Sequence, residues 1–423
     1  MTHWTEHAIF WHVYPLGFVG APRAVTDTDP VPRLRQLTPW LDYVIELGAN
    51  GLLLGPVFAA ETHGYDTVDH FRVDPRLGTE DDLRALIDEA HDRGIRVVLD
   101  GVFNHVGRGF PRVSDEASQH WFRRDADGEL ATFEGHHKLV ALDHAEPEVA
   151  DYVVGVMDHW LDRGADGWRL DAAYEVPPAF WRQVSDRVHA ARPDAWLVGE
   201  VIHGDYTRLV VEGGLDSVTQ YELWKAIWSA LSDGNFYELA HALGRHEELL
   251  ATFVPQTFLG NHDVTRIASQ FPDSRHLPHA VAVLMTVAGI PSIYAGDEQA
   301  FTGVKEHHER GDDAVRPQFP GSPGELSPLG APTLAVYQEL VALRRRHPWL
   351  VRARTEVVHL DNRQFVYRSR GDTDLLVALN LDDSGLDVPL PSGAGWTVEA
   401  GSAGVDGDRL TVGSHGWAVL ARG

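Results

Sequence analysis

One unit recurs along much of the chain: an amphipathic helix, a glycine, then an apolar strand. It reads LDYVIELGANGLLLGP from Leu41 to Pro56, LIDEAHDRGIRVVLDGV from Leu86 to Val102 and MDHWLDRGADGWRLDA from Met157 to Ala172. Apolar residues three and four apart mark the helices. Gly48, Gly94 and Gly164 fall where a helix ends on a left-handed residue. Helix, glycine and strand at this rhythm mean parallel strands joined by crossover helices. Further apolar runs complete the series: AIFWHVYP ahead of these, then AWLVGEV, SVTQYEL, QTFLGNHD and IPSIYAGDE. That gives eight strands in a chain of 423 residues, so the economical fold is α/β, a closed (β/α)8 TIM barrel. A doubly wound open sheet competes, but it calls for a glycine-rich phosphate turn after its first strand, and this chain has none there.

The rhythm breaks twice. Residues 106–142 are polar, rich in glycine, histidine and charge, and hold no clear βα unit. A loop this long is a functional segment or a small subdomain. After Pro348 the pattern turns to period two, in TEVVHL, QFVYRSR, DLLVALNL, WTVEAG, RLTV and WAVLA, separated by turn residues. That is the signature of an antiparallel β-sandwich. The expected division is therefore a barrel over 1–105 and 143–347, an inserted subdomain over 106–142 after the third strand, and a C-terminal β-sandwich over 348–423. No low-complexity linker separates the last two, so rigid packing is expected.

Composition narrows the function. With 36 Lys and Arg against 62 Asp and Glu, the formal charge is −26. Such a field repels nucleic acid and anionic membranes and suits a neutral small molecule. Cysteine is absent, so disulfides and thiolate metal sites are excluded, and a reducing compartment is expected. The start, MTHWTEHAIFWHVYP, has neither the basic nor the apolar region of a signal peptide, and no run is long enough for a membrane helix. A cytoplasmic protein is expected.

Three apolar runs stop at an acid: GWRLDAA at Asp171, LVGEV at Glu200 and FLGNHD at Asp263. In a barrel, the C-terminal strand ends carry the chemistry, so these acids would converge at one mouth. Two facing carboxyls are what glycoside hydrolysis needs. Arg169 shares a strand face with Asp171 and is expected to lower its pKa, which suits a nucleophile. A structural Arg–Asp pair accounts for that fragment equally well. Glu200 follows apolar Leu197 and Val198, so a raised pKa and an acid/base role are expected; a capping or surface acid is the alternative. Asp263, with Asn261 and His262, could bind sugar hydroxyls, though Asn-His-Asp is also good helix-start chemistry. DGVFNH at Asp100–His105 and HGYD at His63–Asp66 add His105, Asp66 and Tyr65, whose ring could lie on a sugar face. Structural or core positions are the competing readings of each. Trp11, Trp121 and Trp224 are weaker candidates for lining sugar subsites.

In order and placement, these blocks resemble the α-amylase family, glycoside hydrolase family 13. HGYDTVDHFRVDPRLGT, DGVFNH, LDHAEPEV, GWRLDAA, GEV, FLGNHD and GIPSIYAGDE appear in family order. The resemblance implies a retaining mechanism through a β-glycosyl–enzyme intermediate, with Asp171 as nucleophile, Glu200 as acid/base and Asp263 as transition-state stabiliser. It makes Arg169, His105, His262, Tyr65 and Asp66 partners of the sugar being cleaved. DGWRLDAAYEVPPAFWRQV and ALDHAEPEV look like the neopullulanase, cyclomaltodextrinase and maltogenic amylase group, which acts on short and cyclic α-glucans. That group carries an N-terminal β-domain that helps it dimerise. Here the barrel begins within about ten residues of Met1, so the domain is expected to be absent, leaving a monomer or a homodimer through other surfaces. The group tends to have Trp after GEV; this chain has Ile202 and then His203, on the leaving-group side. DGV also replaces the commoner DAV.

The leading expectation is an intracellular hydrolase of short linear or cyclic α-glucans, cutting α-1,4 and also α-1,6 bonds. A hydrolase of a small cyclic maltosyl saccharide fits the same features. A glucanotransferase would use the same residues. A non-catalytic sugar-binding barrel would typically lose catalytic acids that this chain keeps. A metal-dependent barrel hydrolase is suggested by 24 His, but they are scattered and no His-x-His closes the first strand. No cofactor or catalytic metal is expected. Nor is a structural calcium, although Asn104 offers an oxygen.

Overall fold

The structure is a computed structural model that describes residues 3–25, 29–308, 310–391 and 395–422. The described residues form an eight-stranded parallel sheet. Its strands are β1 (Phe10–Val13), β2 (Gly51–Leu54), β3 (Arg96–Gly101), β4 (Gly167–Leu170), β5 (Trp196–Gly199), β6 (Ser217–Val218), β7 (Gln256–Phe258) and β8 (Ile290–Tyr294). Neighbours pair in sequence order, and β1 pairs with β8 through Phe10 and Ser292. The remaining seam, β6 to β7, is closed by a parallel bridge between Thr219 and Gln256. The sheet is thus a barrel, with all eight strands where the apolar runs predict them.

The helix ends also follow the sequence. Gly48 caps the helix Leu41–Leu47 at φ 87°, and Gly164 takes φ 104° after the helix Pro147–Leu161. A Cβ is disfavoured at such angles.

Period two does the rest. Phe10, Leu53, Val98, Trp196, Val198 and Ile290 form one buried cluster inside the barrel. Phe10 stacks on Trp196 with ring centres 5.2 Å apart, and Trp4 meets both edge-on. Their neighbours Leu52, Leu54, Val97, Leu99, Trp168, Leu170 and Leu197 belong to a separate cluster with the surrounding helices.

The run SVTQYEL differs from expectation. Only Ser217–Val218 is strand, and Tyr221–Asp233 is helix. Gln220 ends the strand because its side-chain oxygen caps the helix at the Leu223 N–H. After β2 a hairpin, Phe58–Ala60 with Thr67–Val73, carries the HGYD block on its turn. After β3 the inserted segment opens and closes with an antiparallel pair, His105–Gly107 and Leu139–Ala141.

The C-terminal strands are β9 (Arg354–Leu360), β10 (Gln364–Arg370), β11 (Asp374–Asn380), β12 (Leu386–Pro389), β13 (Trp396–Gly401), β14 (Gly404–Asp406), β15 (Arg409–Val412) and β16 (Trp417–Arg422). They make a five-stranded sheet, β9-β10-β11-β16-β13, and a three-stranded one, β12-β15-β14, all antiparallel. The apolar runs miss β12 and β14, which are short and carry Pro389 and the exposed Gly404. Val366, Leu376, Ala378, Leu386, Leu410 and Leu420 fill the space between the sheets. The other face of the larger sheet, with Phe365, Tyr367, Val377 and Val419, joins the core that the barrel helices share.

Candidate active site

The inward parity that fills the barrel with apolar side chains at one end delivers polar ones at the other. Continuing Trp196 and Val198 by two gives Glu200; continuing Val98 gives Asp100. Gly167 leads to Arg169 and Asp171, and Phe10 to His12 and Tyr14. These groups meet. Arg169 Nη1 lies 2.7 Å from both oxygens of Asp100 and 3.4 Å from Asp171 Oδ1, while its Nη2 lies 2.7 Å from Glu200 Oε1. One guanidinium therefore ties the ends of β3, β4 and β5 together. Glu200 accepts two further bonds, from the Tyr221 hydroxyl at 3.1 Å and the Ala172 amide at 3.1 Å. Tyr221 is in turn held by Asn261 Nδ2 at 2.7 Å.

Asp263 comes from the loop after β7. Its Oδ2 is 2.8 Å from His262 Nε2, and its Oδ1 is 2.6 Å from Arg316 Nη2. His262 is fully buried, with the rings of Tyr65 and Tyr14 stacked near it at 5.3 and 5.7 Å. The Tyr65 hydroxyl bonds both His262 Nε2 and Asp100 Oδ2. A continuous chain, Asp263–His262–Tyr65–Asp100–Arg169, thus joins the third acid to the first two.

One electrostatic expectation needs correction. Burial pushes the Asp171 carboxyl well above its usual range, the Glu200 charge adds to this, and Arg169 only partly offsets them. Arg169 acts in the expected direction but is outweighed, because a dry carboxylate beside another carboxyl costs more than one shared cation returns. Glu200 is buried as well, with Val198 below it inside the barrel. Leu197 points to the helices, and the carboxyl itself meets three donors. Burial also opposes ionisation of Asp263, but His262, Arg316 and Lys305 hold it well below the ordinary range.

Other sequence candidates fall elsewhere. Asp66 is buried, with its carboxylate occupied by the Thr62 amide at 3.0 Å and the Thr62 hydroxyl at 2.5 Å. It shapes the turn on which Tyr65 sits. His105 bonds the Tyr65 carbonyl through Nε2 at 3.0 Å and stacks on Phe133 of the inserted segment at 4.7 Å. Burial lowers its pKa to about 4, so it is neutral and ties three loops together. Tyr65 is itself buried, its hydroxyl lying between His262 and Asp100 in the chain that joins the acids. Ile202 and His203 are exposed after β5, and the His203 ring lies 4.9 Å from that of Tyr174. Trp11 stacks on Trp40 in the core, and Trp121 lies buried under Arg112. Sequence reasoning overlooks Arg316, Tyr14 and Tyr221. No local pattern marks them; their roles come from loops that meet only in the fold. Gly101 has a plain reason: a Cβ there would sit 2.4 Å from the Phe103 ring.

Among the described residues, the groups of His, Asp and Glu arranged to hold a metal are Asp273, His276 and His415, and His120, Glu146 and Glu148. Neither includes a residue of the mouth described above.

Residues 13–127 and 113–319 match the family described as alpha amylase, catalytic domain. The chain belongs to the α-amylase family. As an α-amylase family protein it is a glycoside hydrolase, and its relatives fit the group that the blocks suggest. A cyclomaltodextrinase from Bacillus sp is 32% identical over 90% of this chain and 74% of its own length. Neopullulanase 2 from Thermoactinomyces vulgaris is 30% identical over 93% and 73%. Among solved structures, a cyclic α-maltosyl-(1→6)-maltose hydrolase from Arthrobacter globiformis is 27% identical, with a TM-score of 0.82 covering 100% of both chains. No helix among the described residues of this family member is long and apolar enough to cross a membrane.

Proposed function

We propose that this enzyme hydrolyses α-1,4 and also α-1,6 bonds in short linear or cyclic α-glucans, in the cytoplasm, by a retaining mechanism. Asp171 is the nucleophile, Glu200 the acid/base and Asp263 the group that steadies the transition state. The observation that carries this reading is the single Arg169 guanidinium reaching both Asp171 and Glu200 at the barrel mouth. In the first step an Asp171 oxygen attacks the anomeric carbon while the Glu200 proton passes to the departing glycosidic oxygen. The C1–O bond breaks and an ester to Asp171 forms. Glu200, now a carboxylate, takes a proton from water, whose oxygen displaces Asp171 and restores the anomeric configuration. Asp263, anionic under His262 and Arg316, favours the positive charge that grows on the ring.

The preference for small substrates is supported by the inserted segment. Its Phe133 packs on His105, and its Glu134 accepts a bond from the Tyr174 hydroxyl at 3.2 Å, beside His203. That bridge ties the inserted segment to the segments that follow β4 and β5. Two of the relatives, the cyclomaltodextrinase and the cyclic α-maltosyl-(1→6)-maltose hydrolase, are named for cyclic substrates. The lack of cysteine supports a reducing compartment.

The test is a product profile on α-, β- and γ-cyclodextrin, pullulan, maltotriose and starch, run with Asp171→Asn alongside. Fast cleavage of the small or cyclic substrates is expected, with kcat lower by about a thousandfold or more in the variant. An Asp171→Asn enzyme at full rate would sink the assignment. A second reading, transfer of the glycosyl group to another sugar, is favoured by exposed Ile202 on the leaving-group side, an apolar contact for an acceptor. Rearranged or lengthened oligosaccharides would identify it.

A further inference from the structure

The barrel and the C-terminal sandwich meet at three potential metal ligands that the mouth does not use. Asp273 and His276 lie on the short 3-10 turn (Ser274–His276) that leads into the helix Leu277–Thr286. His415 comes from the turn between β15 and β16. His276 Nε2 is 3.0 Å from His415 Nδ1, and Asp273 Oδ2 lies 4.0 Å from the first and 3.9 Å from the second. A triangle with these sides has its centre about 2.1 Å from every corner, which is the bond length of zinc to imidazole nitrogen and carboxylate oxygen. We propose that Asp273, His276 and His415 form a binding site for Zn2+ or a similar borderline-soft divalent cation that clamps the C-terminal sandwich to the barrel.

Four features of the site support this. His276 is buried, and its Nε2 faces His415 Nδ1 in a hydrogen bond that a cation between the two rings would replace. His415 Nε2 lies 2.8 Å from Asp383 Oδ1, the outer carboxylate that orients a ligating histidine and fixes its tautomer. His415 also takes φ 49°, a left-handed backbone that a histidine adopts only at a cost. Gly413 and Gly416 flank it in the same turn, so glycine would have served if only the turn mattered. His279, edge-on to His276 at 5.5 Å, bonds the carbonyls of Asn380 and Gly416 and holds that turn against the helix. Arg275 is the opposing group. Its Nη2 is 2.6 Å from Asp273 Oδ2, so it keeps the carboxylate ionised but competes with a cation for that oxygen.

The test uses the full chain, stripped with a chelator and titrated with Zn2+ by calorimetry and with Co2+ by visible absorption. One equivalent is expected, with new visible bands from bound Co2+ and a Tm raised by Zn2+. His415→Asn tolerates the left-handed backbone and removes the imidazole; binding and the Tm shift should fall at least tenfold and vanish, respectively. Asp383→Asn should weaken binding about tenfold, and Arg275→Gln should tighten it. If the wild type binds no Zn2+, or if His415→Asn and Asp383→Asn bind as the wild type does, the proposal is overturned. Binding lost only in His120→Ala would assign the metal to the exposed cluster of His120, Glu146 and Glu148 and overturn it equally.

Discussion

At Asp171 two demands conflict. A nucleophile has to be ionised, yet burial and the neighbouring Glu200 raise its pKa, with Arg169 restoring only part of the difference. Asp171 therefore retains a proton at a pH where an isolated aspartate has lost its own. The sign follows: activity needs Asp171 charged, so it falls as pH drops through the raised value. The acid limb of kcat/KM is expected above the ordinary aspartate range of about 4. A limb at or below that value would remove Asp171 from the nucleophile's role. Gly101 makes a second prediction at this scale. A methyl group there meets Phe103 at 2.4 Å, so Gly101→Ala should cost about 1–3 kcal/mol in chemical denaturation through overpacking. Shifting the ring would also disturb Asp100, one residue away.

Among the elements, the loop after β8 carries two acids, Asp297 and Glu298, into a dry place. Burial raises Asp297 to about 6 and Glu298 to about 7. Asp297 meets Arg266 at 2.9 Å; Glu298 meets the Tyr43 hydroxyl and the Gly296 amide, each at 3.0 Å. Because the folded state holds these protons more tightly than the unfolded chain, stability is greatest below about pH 4 from these groups. Their contribution then declines as pH rises to about 7, where Glu298 ionises in the folded state. For Glu298 the span is on the order of 3 kcal/mol. Thermal melts from pH 5 to 8 should show this decline, and Glu298→Gln should flatten it; an unchanged slope in the variant would refute the attribution. The elements also show what sequence conveys. Apolar runs of alternating parity locate β1 to β8, since a barrel strand packs helices on one face and the interior on the other. The same parity foretells that Asp171 and Glu200 face inward. β12 and β14 escape notice because short edge strands with Pro389 or Gly404 lack that alternation.

At the level of the whole molecule, the C-terminal sandwich is part of the barrel's outer wall. Ser369 Oγ bonds the Thr286 carbonyl at 2.6 Å, Tyr367 bonds the Thr286 hydroxyl at 2.6 Å, and His279 reaches Asn380 and Gly416. The helix Leu277–Thr286 is buried nearly all round as a result. A chain ending at Arg352 would expose one face of that helix, and it is expected to be insoluble or molten by near-UV circular dichroism. A sharp cooperative melt in that fragment would show the barrel independent of its sandwich. The amino-acid sequence by itself determined the barrel, the order of its strands and the three acids at their ends, because period and spacing are local properties of a chain. The tertiary structure decided what those acids experience. Arg169 meets three carboxyls instead of one, Asp66 and His105 turn to the loops, and Arg316 and Tyr221 arrive from distant segments. Desolvation and long-range charge depend on what else is folded nearby, and no stretch of sequence carries that information.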